Sequence, residues 1–437
     1  MLSRNSLRHP PTAFKGDEVQ PTSATPAAGA LVRPIPEVAP RRSKVEAYNV
    51  ADLRQLARKA LPKGLFEFVD RGTENEVALR TMREAIERTM LLPRVLVDVS
   101  QRNQQVDFFG RPCASPMIVA PTGAAGLLWF DGEIEIARAA ARVGVPFALS
   151  TASIVSMERV AAGAGPGARL WFQLYMWPDR RLSMELVERA QKAGYEALIV
   201  TVDTPVSPNR EYNKHNGFTL PMRISRRNVR DVALHPRWFV NVFARYMMRS
   251  GIPTLENYPD SLRTRLNQAQ SPLKCDSLTW DDLRDIRKRW SGPLILKGIL
   301  RVDDAVKAQE CGVDGIIVSN HGGRNLDASV PPFVVLPEIV DRVAGRTDVF
   351  VDGGFNRGAD IVKAVAMGAK GVFVGRAPLW GVAVDGEPGA RLALEILREE
   401  IDRVLAFTGS PHLQSLDRSL LHRAPAPSAV AILQDLP

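Results

Sequence analysis

Gly315-Ile316-Ile317-Val318-Ser319-Asn320-His321-Gly322-Gly323-Arg324 is an apolar run, mostly β-branched, that stops on polar residues and a glycine pair. Such a run, bounded by turn signals, reads as a short buried strand. Just past its end stand a histidine and an arginine three positions apart. The first is a base that titrates near neutrality, and the second is a planar cation that can grip an anion at two points. An isolated histidine is more often a core residue satisfied by backbone groups. His321 has Arg324 beside it at a strand end, and that favours a general base next to an anion clamp.

Working outward, the same pattern recurs from about residue 117. Apolar runs occupy Met117–Thr122, Phe147–Thr151, Leu170–Tyr175, Ala197–Asp203, Leu294–Ile299, Gly315–Asn320, Val349–Gly353 and Gly371–Gly375. Helix-like segments lie between them, among them Gly132–Val143, Met184–Ala193, Asp303–Cys311 and Ala359–Met367. Eight such units predict an α/β fold, a (β/α)8 TIM barrel. The rival is an open doubly wound sheet, but no Gly-x-Gly-x-x-Gly turn follows the first strand. About 90 residues separate Asp203 from Leu294, so a long insertion, about 209–280, follows the fourth strand.

The chain has 437 residues, 45% of them hydrophobic, enough for one large barrel, assigned here to 46–437. Residues 1–45 hold seven prolines among small and polar residues and read as a disordered, basic tail. The three cysteines show no Cys-x-x-Cys spacing, so neither a disulfide framework nor a metal site is expected. No apolar stretch reaches the roughly 18 residues of a membrane span, and no secretory signal is apparent, which points to the cytoplasm. The formal charge of +9 is concentrated in two places. Residues 1–45 hold seven basic and three acidic residues, and 221–250 seven arginines and one aspartate, leaving the rest near neutral. A nucleic-acid groove needs basic charge across a folded face, so nucleic acid is not expected as a partner.

Within the insertion, Arg237–Ser250 has helical periodicity, with Phe239, Val242, Phe243 and Tyr246 on one face and Asn241, Arg245 and Arg249 on another. This is either a membrane-contact helix, within 221–250, with its arginines at lipid phosphates, or an ordinary helix packed on the barrel or on a subunit.

Other strand ends carry chemistry. Asp352-Gly353-Gly354 and Gly375-Arg376 follow the seventh and eighth strands, where barrels commonly bind phosphate. Either signal alone is more often a tight turn; the two together favour a phosphate site. Lys297 ends an apolar strand and needs an anionic partner, either a barrel carboxylate or charge developing on a bound cofactor. Asp203 can orient a histidine or cap the next turn.

From about Asn49 onward the chain resembles the FMN-dependent α-hydroxy acid dehydrogenases and oxidases. The stretches that carry the resemblance are Ala120-Pro121-Thr122-Gly123, Leu149–Ser153, Phe172-Gln173-Leu174-Tyr175, Thr201-Val202-Asp203, Lys297-Gly298, Ser319–Asp327, Asp352–Gly354 and Gly375-Arg376. The insertion, notably Leu234–Trp238, is most similar to that of membrane-associated bacterial members acting on mandelate and lactate. The resemblance implies His321 as the base, paired with Asp203, and Arg324 and Arg210 as the clamp on the substrate carboxylate. It implies Tyr175 as the partner of the substrate hydroxyl and Lys297 as the stabiliser of negative charge on the flavin. Ser150, Gln173, Thr201, Ser319 and the Pro121–Gly123 backbone (Pro121, Thr122, Gly123) would hold FMN, and Asp352, Gly353, Gly354, Gly375 and Arg376 its phosphate.

Three departures stand out. Phe68 occupies the place of a tyrosine that helps bind the carboxylate, Asn356 that of a phosphate arginine for which Arg357 would compensate, and Asn325 that of a glutamine. Small residues at Gly123 and Ala152 leave room for an aryl side chain. In the family that the chain resembles, glycine at the position of Gly123 also tends to accompany poor reaction with oxygen. The implied activity is oxidation of an (S)-2-hydroxy acid, mandelate-like or lactate-like, with electrons passed to a membrane quinone. The implied setting is a homotetramer peripheral to the inner face of the cytoplasmic membrane. Alternatives are an oxidase releasing hydrogen peroxide, a non-catalytic FMN-binding or membrane-docking protein, and a phosphate-substrate barrel enzyme without flavin.

Overall fold

The computed structural model describes residues 43–218, 225–268 and 275–423. Residues 1–42 of the predicted tail, and 221–224 of the predicted membrane segment, lie outside them.

Eight parallel strands close into a barrel: β1 (Met117–Thr122), β2 (Phe147–Ser150), β3 (Leu170–Leu174), β4 (Ala197–Thr201), β5 (Leu294–Ile299), β6 (Gly315–Val318), β7 (Asp348–Asp352) and β8 (Gly371–Val374). Each pairs with the next in sequence, and β8 returns to β1 with Val372 opposite Met117 and Val374 opposite Val119. That last pairing excludes the open sheet. Every strand coincides with a predicted run to within two residues at either end.

Strand periodicity explains the core. Side chains alternate between the two faces of a strand, so every second residue points into the barrel. Ile118, Ala148, Trp171, Ile199, Ile295, Ile317, Phe350 and Phe373 form a dry inner cluster, while Met117, Val119, Leu198, Leu294 and Val372 face the surrounding helices. Phe350 lies 6.2 Å from Trp171 and 5.8 Å from Phe373, edge to face, an arrangement aromatic quadrupoles favour. A hairpin of Val106–Phe108 and Arg111–Cys113 adds Phe108, fully buried, to that layer.

Three helices precede the barrel, Val50–Ala60, Lys63–Asp70 and Val77–Glu87. The first packs on the long helix Arg376–Phe407, which is kinked at Asp385 and Gly386. The second carries Phe68, and the third brings Met82 beneath Gly353.

The insertion is helical over Glu211–Asn216 and Arg226–Ala233, and then from Pro236 to Arg249. The predicted split of that last helix is corrected at Phe239, which falls on the exposed side. Its middle, Phe239–Ala244, is a π-helical turn, and the wider turn breaks the 3.6-residue register on which the prediction rested. Val242 and Tyr246 are buried, whereas Phe239 is exposed. Asn241, Arg245 and Arg249 are exposed as predicted, and the two guanidinium groups cover the Phe130 ring from the solvent side at 4.2 Å and 5.6 Å. Tyr246 packs 4.7 Å from the same ring and accepts from Asp131 N, and Trp238 Nε1 donates to Leu127 O at 2.8 Å. Leu234, Val240, Met247 and Met248 remain exposed on the other side. The helix therefore has two apolar sides, one on the barrel and one facing out. No helix among the described residues is long and apolar enough to cross a membrane.

Phe130→Ala should remove the ring on which this helix rests and cost about 3 kcal/mol. Urea unfolding would measure the loss, and hydrogen exchange should accelerate over Pro236–Arg249 while the barrel strands keep their protection.

Candidate active site

Two residues beyond the dry layer, the same inward direction falls on Ala120, Ser150, Gln173, Thr201, Lys297, Ser319, Asp352 and Gly375. The C-terminal mouth of the barrel is thus a polar layer stacked on an apolar one. Gln173 Nε2 donates to Thr201 Oγ1 at 3.0 Å, and Gln173 Oε1 accepts from Ser150 Oγ at 3.0 Å. Across the mouth, Lys297 Nζ donates to Ser319 Oγ at 2.7 Å and pairs with Asp352 Oδ2 at 3.0 Å. Burial alone would lower the Lys297 pKa, but Asp352 and Asp203 outweigh it and the group is held above its ordinary value.

His321 leaves β6 with φ of 61°, a left-handed conformation costing a non-glycine residue about 1–2 kcal/mol. The turn aims the imidazole at two partners. Nδ1 is 2.8 Å from Asp203 Oδ1, and Nε2 is 3.3 Å from the Tyr175 hydroxyl. Burial pushes the Asp203 carboxyl up, yet His321 and Lys297 prevail and hold it at about 2. Burial lowers the His321 pKa, and the neighbouring Asp203 only partly offsets this, so the resting ring is neutral at pH 7. Gly298, with φ of 111°, is required beside this pair: a Cβ there would sit 2.5 Å from the Cβ of Asp203.

Arginines converge on the other side of the mouth. Arg324 donates to Phe68 O at 2.7 Å and Arg71 O at 2.8 Å, and Arg376 donates to Val69 O at 3.2 Å and Gly322 O at 3.0 Å. Burial, with the positive charge of Arg324, pulls both Arg210 and Arg376 down to about 10. Phe68 lies between Arg324 and Arg210, its ring 5.4 Å and 5.9 Å from the two guanidinium carbons and 5.4 Å from Phe218. Where a tyrosine would offer a hydroxyl, this chain offers a π-face.

A cavity of about 1520 Å³ joins these groups, and Pro121, Thr122, Gly123, Gly353, Gly354 and Gly375 line it with them. Asp203 and Ser319 stand one layer behind, on His321 and Lys297. Arg357 is not brought in: its Nη2 lies 3.1 Å from Glu400 Oε1, with the side chain half exposed, because the helix beginning at Gly358 carries it outward. The cation beside the glycine pair is instead Arg83, which donates to Gly354 O at 2.8 Å and pairs with Asp360. Arg83 comes from a helix more than 270 positions away, and no local motif marks it. Thr204 and Tyr258, also at the cavity, were missed as well; only the adjacency of Thr204 to Asp203 offered a hint.

The model of the FMN-dependent dehydrogenases matches residues 57–423. The chain belongs to this family. An (S)-mandelate dehydrogenase of Pseudomonas putida is 39% identical over 86% of this chain and 93% of its own length. An L-lactate oxidase of Nostoc sp. is 40% identical over 86% of this chain and 98% of its own. A solved (S)-mandelate dehydrogenase described as a monotopic membrane protein superposes with a TM-score of 0.80 at 38% identity, covering 87% of this chain and 100% of that one.

The cavity of this FMN-dependent dehydrogenase suits its cofactor. Arg210 Nε and Asp352 Oδ1 are buried there without a hydrogen-bond partner among the described residues, so the site holds polar capacity in reserve for bound groups. Gly353, at φ of 97°, has no room for a side chain: a Cβ would lie 2.6 Å from Met82 Sδ, which keeps the backbone bare along the cavity wall.

The pKa directions fix how stability responds to acid. His321 titrates below the unfolded value of about 6.5, so the unfolded chain takes up its proton first and stability falls as pH drops through that point. Asp203, at about 2 against about 3.9 unfolded, contributes stability fully above about pH 4 that is lost as pH falls towards 2. Urea midpoints measured from about pH 7 to pH 3 should decline in both windows. His321→Gln should flatten the upper window and Asp203→Asn the lower.

Proposed function

We propose that this enzyme oxidises an (S)-2-hydroxy acid with a mandelate-like or lactate-like side chain to the 2-oxo acid and delivers the electrons to a membrane quinone. The observation that carries the reading is a neutral, half-buried His321 held by Asp203 and facing Tyr175, with Arg210 and Arg324 across the same cavity. His321 Nε2 takes a proton from the substrate, and Asp203 stabilises the resulting imidazolium. Arg210 and Arg324 grip the carboxylate, and the Tyr175 hydroxyl contacts the substrate hydroxyl. FMN, when bound, supplies the two-electron acceptor. Ser150, Gln173, Thr201 and the Pro121–Gly123 backbone hold its ring, and Lys297 supplies positive charge beside it. The Asp352–Gly354 turn, with Gly375 and Arg376, receives the phosphate. Gly123 and Ala152 leave space for an aryl group, in line with the mandelate relatives.

The outward side of the insertion supports peripheral attachment to the inner face of the cytoplasmic membrane. Leu234, Phe239, Val240, Met247 and Met248 are exposed there, with Arg226, Arg230 and Arg237 nearby in sequence. Burying such side chains at the headgroup boundary, beside arginines that attract anionic lipid, is how interfacial helices bind. The likeness to the family extends the proposal to a homotetramer, and exposed Leu92, Val95, Leu96 and Phe407 provide apolar surface for subunit contacts.

Under anaerobic conditions, (S)-mandelate or L-lactate should reduce the flavin, with slow recovery in air; hydrogen peroxide accumulating at the turnover rate would point to an oxidase instead. His321→Ala should slow reduction by about 10²–10⁴-fold. Phe68→Tyr should add one charge-assisted bond to the carboxylate and lower KM about tenfold or more. The pair Val240→Asp and Met248→Asp should abolish sedimentation with phosphatidylglycerol vesicles and leave flavin reduction intact. Retained sedimentation would count against the membrane reading.

A further inference from the structure

We propose that Thr204, fixed by Asn325, dictates which way the Tyr175 hydroxyl points its hydrogen, and so keeps the lone pair of His321 Nε2 open for the substrate proton. The inference rests on the reading of His321 as the base.

It follows from counting hydrogens. Asn325 Nδ2 lies 2.8 Å from Asp203 O and 2.9 Å from Thr204 Oγ1. A backbone carbonyl can only accept, so the amide NH2 must face it, and the same nitrogen donates its second hydrogen to Thr204. Thr204 Oγ1 is 3.1 Å from Asp203 Oδ1. An ionised carboxylate can only accept, so the single threonine hydrogen is committed there. Towards its remaining neighbour, the Tyr175 hydroxyl with which it is hydrogen-bonded, Thr204 can only accept. The one Tyr175 hydrogen therefore points at Thr204, and the phenol oxygen turns a lone pair towards His321 Nε2, 3.3 Å away.

The imidazole hydrogen sits on Nδ1, donated to Asp203 Oδ1 at 2.8 Å. Nε2 is then a base facing an acceptor, with no donor among the described residues to satisfy it. When a substrate proton moves to Nε2, the new N–H finds the waiting phenol oxygen, so the arrangement is worse for the resting base than for the imidazolium. That is differential stabilisation of the reacting state. The charged and titratable groups around the ring are Asp203, Tyr175, Lys297 and Asp352; Asp203 supplies the acceptor that commits the threonine hydrogen, and Lys297 and Asp352 take no part in the directionality. Thr204 and Asn325 are positioning residues that act through Tyr175. Asn325 stands where the resemblance leads one to expect glutamine, and its shorter amide still reaches both acceptors.

Thr204→Val keeps the shape and removes the hydroxyl. The Tyr175 hydrogen should then turn to Nε2 and hold the neutral imidazole. The His321 pKa, read by NMR of the imidazole in substrate-free holoenzyme, and the acid limb of kcat/KM should both fall by about half a unit to one unit, and kcat by about five- to tenfold. Thr204→Ser should restore both values, and Asn325→Leu should move them in the same direction. Thr204→Val in a Tyr175→Phe background should lose the downward shift, since no phenol hydrogen remains to turn. Neutron diffraction from deuterium-exchanged crystals should find the Tyr175 deuteron on the Thr204 side. A deuteron pointing at Nε2, or a Thr204→Val enzyme that loses activity with both pKa values unmoved, would overturn the proposal. Neither the NMR nor the neutron measurement needs substrate, so failure of the proposed reaction would be seen separately.

Discussion

The structure depends on a two-residue period carried around a closed barrel. Once Ile295 and Ile317 point inward, Lys297 and Ser319 must do so one layer higher, and the same step takes Trp171 to Gln173, Ile199 to Thr201 and Phe350 to Asp352. Closure gives every inner residue neighbours on both sides, so the polar layer arrives as a ring. Its members satisfy one another across strands, as Ser150, Gln173 and Thr201 do on one arc and Lys297, Ser319 and Asp352 on the other. The apolar layer beneath excludes water from the floor, which strengthens electrostatic interactions in the ring above.

That dryness also explains the imbalance of charge. Burying an ammonium or guanidinium is tolerated only with partners, and Lys297 has them in Asp352 and Asp203. Arg210 and Arg376 are less well served: backbone carbonyls satisfy part of Arg376, and both are pulled down by burial and by Arg324. A protein selected for stability alone would have no reason to collect three arginines here. The unspent positive field is the expected signature of a site that binds anions.

Much of this was legible in the sequence, for physical reasons. The eight runs announce themselves because strands buried on both faces need continuous apolar stretches, and their polar ends show where the burial stops. What failed was direction. Arg357 is close in sequence to the Asp352–Gly354 turn, yet the helix starting at Gly358 turns it towards Glu400, a partner 43 positions later. The insertion helix was assigned faces on a 3.6-residue period that its π-helical middle does not keep. Arg83 and the network from Asn325 to Tyr175 join distant elements, and contacts at such separations leave no trace in local pattern.

The left-handed backbone at His321 bears on how this protein can change. Asparagine would sit there with less strain, so the position is one where a replacement relieves the backbone as it removes the proposed base. A lineage or a laboratory screen rewarded only for heat tolerance would drift towards inert barrels at this residue. On the proposed role of His321 as the base, histidine persists at 321 only while turnover itself is under selection.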